Sequence, residues 1–212
     1  MKKYILPIIL FIIILAIFIY YFAFYKQNNS TNYNATKIGT EIENSTTNSS
    51  VVNHQIISET QNIETTLSEF STKIQIDDDN RDKNIMLTAS FINGTVIKNG
   101  NTFSFNNTAG NPTPDRGYEK AGVFVNGQKV KGYGGGNCQV STTIYNAALK
   151  VDGIEITERH EHGMPVGYVE MGKDATVAYD DLDFKFKNNT GYDIKIYVEV
   201  INHKLTVKIV KI

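Results

Sequence analysis

The first 68 residues of this chain are expected to add nothing to a globular core, so any compact fold has to be built from the remaining residues. Residues 5–24 form an apolar run without a charge, about the length a helix needs to cross a bilayer. Lys2 and Lys3 precede the run, Lys26 follows it, and Tyr20, Tyr21, Phe22, Phe24 and Tyr25 gather at its far end, as at a membrane–water interface. A cleavable signal peptide would have a shorter apolar core and small residues before the cut, and no such site is visible. Residues 1–26 are therefore expected to be an uncleaved anchor with its N-terminus inside. Residues 27–68 are rich in Asn, Thr, Ser and Gln, with too few aliphatic residues to offset the entropy of ordering, and read as a polar stalk. Residues 69–212 are left for one domain of ordinary size.

Composition removes several functions. A net charge of −1 with no basic stripe leaves no footprint for nucleic acid. One cysteine excludes an intramolecular disulfide framework. The 4 histidines show neither CxxC nor HxxxH spacing, so no metal site is expected. His160 and His162 would share a face of a strand, but nothing near them completes a ligand set.

Within residues 69–212 the periodicities predict an α+β class, two main helices against a mostly antiparallel sheet. Phe70 to Ile74 reads as an opening strand. Asp77, Asp78 and Asp79 lack calcium-loop spacing and read as a turn or helix-capping cluster. Residues 82–92 carry apolar positions at helical spacing and stop at Asn93-Gly94. Thr102-Phe103-Ser104-Phe105 is strand-like. Asn126-Gly127 between Val123-Phe124-Val125 and Gln128-Lys129-Val130 signals a hairpin. Residues 139–150 place Val140, Ile144, Ala148 and Val151 on one face of an amphipathic helix. Residues 154–157, 176–179 and 182–186 are short strand candidates. Alternation in Ile194 to Val200 and in Leu205 to Ile209, across Asn202-His203, predicts a terminal hairpin.

The lone cysteine stands in Gly134-Gly135-Gly136-Asn137-Cys138-Gln139-Val140-Ser141-Thr142-Thr143, a glycine-rich loop running into the second main helix. Unpaired N–H groups at a helix start favour thiolate over thiol. A thiol there is either a nucleophile or a small buried residue behind a tight turn. As a nucleophile it needs a base and a group to orient that base. His54 lies in the stalk and His203 in a hairpin turn, which leaves His160 and His162 in Glu158-Arg159-His160-Glu161-His162-Gly163. Asp174 could orient a histidine or cap a turn. Arg159 could bind a substrate carboxylate or a surface partner. On the substrate side the candidates are the backbone of Gly135 and Gly136, the N–H groups of Asn137 to Gln139 as an oxyanion hole, and the Ser141 and Thr142 hydroxyls. Tyr133, with Tyr118 and Tyr168, could line a groove.

These motifs resemble the VanW-like domain family. The resemblance runs from Phe70-Ser71-Thr72 to Phe186-Lys187-Asn188-Asn189-Thr190 and includes Ile92-Asn93-Gly94-Thr95-Val96, Arg116-Gly117-Tyr118 and Gly172-Lys173-Asp174-Ala175-Thr176. Its most specific stretch is the cysteine loop. Some members are understood to be L,D-transpeptidases of peptidoglycan. The resemblance implies Cys138 as nucleophile, His162 as the histidine of an Arg-x-x-His element that begins at Arg159, and Asp174 as the aspartate of a Gly-x-Asp-Ala-Thr element. The base role of His162 and the triad role of Asp174 are inferred from chemistry. The implied partners are peptidoglycan stem peptides, with no metal or cofactor, and the implied location is the outer face of a cell membrane. The rival readings are a non-catalytic module that binds peptidoglycan or a glycopeptide, and an L,D-carboxypeptidase. Gly110-Asn111-Pro112-Thr113 departs from a common Gly-Pro-Arg-Thr, and Gly163 stands where serine is common.

Overall fold

The computed structural model describes residues 64–75, 78–125 and 128–212. The expected anchor, most of the expected stalk, Asp77 and the Asn126-Gly127 turn lie outside them. The described residues form an α+β fold of small, mostly antiparallel sheets with a few helices.

The elements run in order as strand β1 (Thr65–Lys73), helix α1 (Asp79–Ile92), strands β2 (Thr95–Ile97) and β3 (Thr102–Ser104), helix α2 (Phe105–Ala109) and a single 3₁₀ turn (Pro114–Arg116). Then come strands β4 (Ala121–Val125) and β5 (Gln128–Gly132), helix α3 (Asn137–Ala148), and strands β6 (Ile154–Glu158), β7 (Lys185–Asn188), β8 (Ile194–Ile201) and β9 (Lys204–Lys211). Three antiparallel sheets result: β1-β9-β8-β2, β3-β7-β6 and the β4-β5 hairpin.

The terminal hairpin is the backbone of the largest sheet. Ile201 pairs with Lys204, and the two residues between them turn with φ of +49° at Asn202 and +56° at His203. That geometry matches the twist of the flanking strands. Alternation then sends Ile194, Ile196 and Val198 of β8, and Leu205, Val207 and Ile209 of β9, into the core. β1 closes one edge along β9 and opens at Thr65, inside the stretch expected to be stalk. Asp78 caps α1 by accepting from the N–H groups of Asn80 and Arg81, which bears out the capping reading of that cluster.

Helix α3 departs from its expected amphipathic form. Every residue from Asn137 to Ala148 is buried except Cys138. The polar residues that look like a wet face in the sequence are buried with partners. The Thr143 hydroxyl bonds the Gln139 carbonyl (2.7 Å) and the Thr72 hydroxyl (2.9 Å). The Asn146 amide donates to the carbonyls of Thr142 (2.8 Å) and Lys173 (2.7 Å). Buried polar groups are tolerated when satisfied in this way.

Two expected strands end differently. Ser104 closes β3 and caps α2, so Phe105 begins a helix instead of continuing the strand. Asp183 accepts from the Ser104 hydroxyl (2.6 Å) and the Asn106 N–H (2.9 Å), which holds residues 182–184 out of the sheet and delays β7 to Lys185. Residues 176–179 make only isolated bridges, His160 with Thr176 and Ala178 with Leu182. Phe103, Phe184 and Phe186 pack at centroid distances of 5.1–6.2 Å and join the three-stranded sheet to α3 through Tyr145.

Candidate functional site

Three neighbouring features build the site: the turn before α3, the segment after β6, and residues 174–178 lying against α3. The turn is set by packing. Gly136 takes φ of +109°, and a Cβ there would sit 2.6 Å from Ile85. Gly135 is buried, and its carbonyl accepts from the Asn84 amide (3.2 Å). The Asn137 side chain is fixed by the Thr88 hydroxyl (2.7 Å). The chain therefore enters α3 in one geometry, with Cys138 at its first turn.

Asp174 is the hub. It is 4% exposed. Its Oδ2 accepts from the His162 backbone N–H (2.7 Å) and bonds His162 Nδ1 (2.6 Å). With Nδ1 committed, Nε2 is the ring nitrogen left free, and His162 and Cys138 line the same cleft, near enough for the thiol to act on the charge of the ring. The thiol also lies 3.4 Å from the Val177 carbonyl, to which it can donate. Asp174 and His162 are thus directly bonded, and Cys138 shares their cleft.

The charges are mutually dependent. Burial disfavours the His162 imidazolium, but Cys138 and then Asp174 outweigh burial and raise its pKa above the usual 6.5. Burial likewise pushes the Asp174 carboxyl up, yet its bonds from the His162 N–H and ring hold it below the usual 3.8. The stabilisation from Asp174 is full above 3.8 and is lost as the pH falls through its depressed value. That from the imidazolium is full below 6.5 and is lost as the pH rises through its elevated value. We expect the His162 ring to titrate above 6.5 in a ¹³C or ¹⁵N NMR titration, and Cys138→Ala to lower that midpoint because burial then meets less opposition. An unchanged midpoint would show that thiol and imidazole are not coupled.

The other expected residues separate. His160 bonds Glu158 (3.0 Å) and is not among the residues that line the cleft with Cys138. Lys185, and then His160, pull the Glu158 carboxyl down to about 2. His203 sits in the terminal turn, 3.2 Å from Asp82. Arg159, a candidate for a substrate carboxylate, is engaged inside the protein. Its Nε donates to the Asp174 carbonyl (2.7 Å), Nη2 lies 3.4 Å from the Asp174 carboxylate, and Nη1 bonds Glu161 (2.5 Å). Two of its nitrogens face Asp174 and the third faces Glu161.

Ser141 and Thr142 are fully buried, and their hydroxyls bond the Ala175 backbone (2.5 and 2.9 Å), so they fasten α3 to the Asp174 segment. The N–H groups of Asn137 and Gln139 donate to the carbonyls of Gly134 and Gly136, both at 3.0 Å. Of the three amides considered for an oxyanion hole, that of Cys138 donates to no carbonyl in the described turns and caps. Tyr118 is buried against Thr88 (2.9 Å) and lines no groove.

Cys138 and His162 open onto a cleft of about 670 Å³. Val123 and Phe124 of the hairpin, together with Tyr133, form one side, and Met164, Val166 and Tyr168 also line it. Burial pushes the Tyr168 phenol well above its usual range. Arg81 of α1 also borders the cleft, with Nη2 on the Gln139 side-chain oxygen (2.6 Å). No sequence signal pointed to Arg81, because an arginine in the first turns of a helix reads as surface. No group of His, Cys, Asp and Glu suited to a metal ion occurs among the described residues.

No solved structure matches the chain. Among curated proteins it is 38% identical to the YoaR protein of Bacillus subtilis over 130 residues, which are 61% of this chain and 43% of that protein. It is 30% identical to the vancomycin B-type resistance protein VanW of Enterococcus faecalis over 132 residues, 60% of this chain and 48% of that protein. The chain thus spans less than half the length of either relative. The family model described as VanW like protein matches residues 80–210, which include every side chain of the Cys138–His162–Asp174 site, and the chain belongs to that family.

Proposed function

We propose that this protein is a cysteine acyltransferase of the bacterial cell wall, an L,D-transpeptidase that joins peptidoglycan stem peptides. The observation that carries the reading is the Asp174–His162 pair opening, together with Cys138, onto one peptide-sized cleft. A thiol–imidazole–carboxylate arrangement is what acyl transfer without a metal or cofactor requires.

The chemistry runs in two acyl transfers. Cys138 Sγ attacks the carbonyl carbon of the third stem residue, forming a thioester. The C–N bond to the terminal residue breaks, and its amine leaves with the proton held by His162 Nε2. An amine of a second stem peptide then attacks the thioester and gives its proton to His162. The new amide forms as the C–S bond breaks, which restores the thiol–imidazole pair. Asp174 fixes the ring tautomer, and Arg159 fixes Asp174. The Cys138 N–H is positioned to receive the developing oxyanion. An anchor at residues 1–26 with a polar stalk after it would hold the domain at the outer face of the membrane, within reach of the wall.

Mass spectrometry tests this reading. Incubating the protein with a synthetic tetrapeptide stem should add the mass of the tripeptide acyl group to Cys138, and Cys138→Ala should prevent it. Acylation and then release of free tripeptide alone would identify a carboxypeptidase, and absence of any adduct or turnover would favour a binding module.

A further inference from the structure

One polar contact in the cleft is left open. Arg81 is the only lysine or arginine bordering it among the described residues, where Asp78, Glu161 and Asp181 supply the opposite charge. Its guanidinium is held in place: Nη2 donates to Gln139, whose own amide donates to the Thr72 hydroxyl (2.9 Å) and the Lys73 carbonyl (3.1 Å). Its Nη1 is buried with no hydrogen-bond partner among the described residues. The nearby Asp78 carboxylate is taken up by Lys131 (2.9 Å) and by capping α1. The Thr176 hydroxyl, also on the cleft, is buried and unpartnered as well. A buried guanidinium nitrogen without an acceptor is costly unless something supplies one.

We infer that Arg81 is the anion anchor of this cleft: it binds the free terminal carboxylate of the donor peptide, one residue beyond the carbonyl that Cys138 attacks, with the Thr176 hydroxyl as a second donor. The inference rests on the functional reading above and adds the recognition element to it. Three features place the anchor there. Gln139, the residue beside Cys138 in the chain, holds the guanidinium, so the anchor on α1 is tied to the turn that carries the nucleophile. A guanidinium presents paired donors that match a carboxylate. The acidic residues elsewhere on the cleft repel a carboxylate, so a bound peptide has a single direction available to it. Arg159, the arginine that the motif suggests for this task, is occupied by Asp174.

The test is calorimetric binding to full-length Cys138→Ala protein in detergent, which removes chemistry from the measurement. The probes are a synthetic tetrapeptide stem with a free C-terminal carboxylate and the same peptide as its carboxamide. The carboxylate form is expected to bind roughly tenfold or more tightly, as loss of a charged hydrogen bond implies. Arg81→Gln in the same background should bring the two peptides to equal affinity. Arg81→Lys, which keeps the charge and loses the fork, should leave a reduced preference, and it serves as the reporter if the glutamine variant does not fold. Because the readout is a ratio of two ligands, general damage to the cleft cancels. A preference that survives both substitutions, a protein with no preference, or binding of neither peptide overturns the assignment. Carboxylate preference without acylation of the native protein by the tetrapeptide would retain Arg81 and reject the transpeptidase. Acylation without the preference would do the reverse.

Discussion

Asp174→Ala is expected to lower the stability of the domain by about 3–5 kcal/mol, the usual cost of breaking a buried charged pair by removing one partner. The same change should slow acylation of Cys138 by roughly 10²-fold or more, the range for losing a positioned acid–base group. Both effects arise from one carboxylate that is 5% exposed and serves the His162 backbone, the His162 ring and Arg159 together. Without it the ring has no fixed tautomer, and a guanidinium with 17% side-chain exposure keeps only Glu161 of its two carboxylate partners. Asp174→Asn separates the two roles. It keeps the shape and one acceptor, so most of the stability should return while the rate stays low, because a neutral amide cannot support an imidazolium. Urea denaturation and adduct mass spectrometry measure the pair. An Asp174→Ala protein as stable as the parent would mean that the network contributes nothing net to the fold.

Gly135→Ala is expected to cost about 1–3 kcal/mol by overpacking. The glycine is not in a left-handed conformation, so the penalty is steric. An added Cβ would stand 2.7 Å from the Gly122 carbonyl oxygen and 2.8 Å from the Ala121 Cβ. Neither atom can swing aside as a side-chain tip would, so the strain has to move β4. Strand β4 supplies Gly122, Val123 and Phe124 to the cleft wall, and the hairpin should shift away from the Cys138 turn. The amide shifts of residues 121–124 report the movement and a urea titration the stability. A loss below about 0.5 kcal/mol, the level of an ordinary surface change, would show that the hairpin yields freely.

The terminal hairpin could be read from the chain because two independent signals agree there, period-two burial and a dipeptide that tolerates positive φ. The cap of α1 was legible in its aspartates, although the helix begins at Asp79 and not at residue 82 as its apolar spacing suggests. The end of β3 was not, because Thr-Phe-Ser-Phe alternates like a strand until Ser104 turns inward to cap the next helix. Helix α3 was legible as a helix and not as a buried one. Nothing local distinguishes a serine facing water from one whose hydroxyl meets the Ala175 carbonyl 34 residues away. The site divides in the same way. The relation of His162 to Asp174 follows a motif. The exchange of tasks between Arg159 and Arg81 depends on which guanidinium the fold leaves unpaired, a tertiary fact.

The burial of α3 bears on how its signature should be used. Of the residues from Asn137 to Ala148, only Cys138 is not buried, and the others pack inside the protein. Such a motif is a record of architecture with one chemical letter written into it. A relative that keeps the glycines, the Gln and the Ser-Thr-Thr but carries another residue at the cysteine position would still fold this way, and a profile would still collect it. Inventories of wall-modifying enzymes drawn from this signature should therefore be sorted on that single position before any activity is assigned.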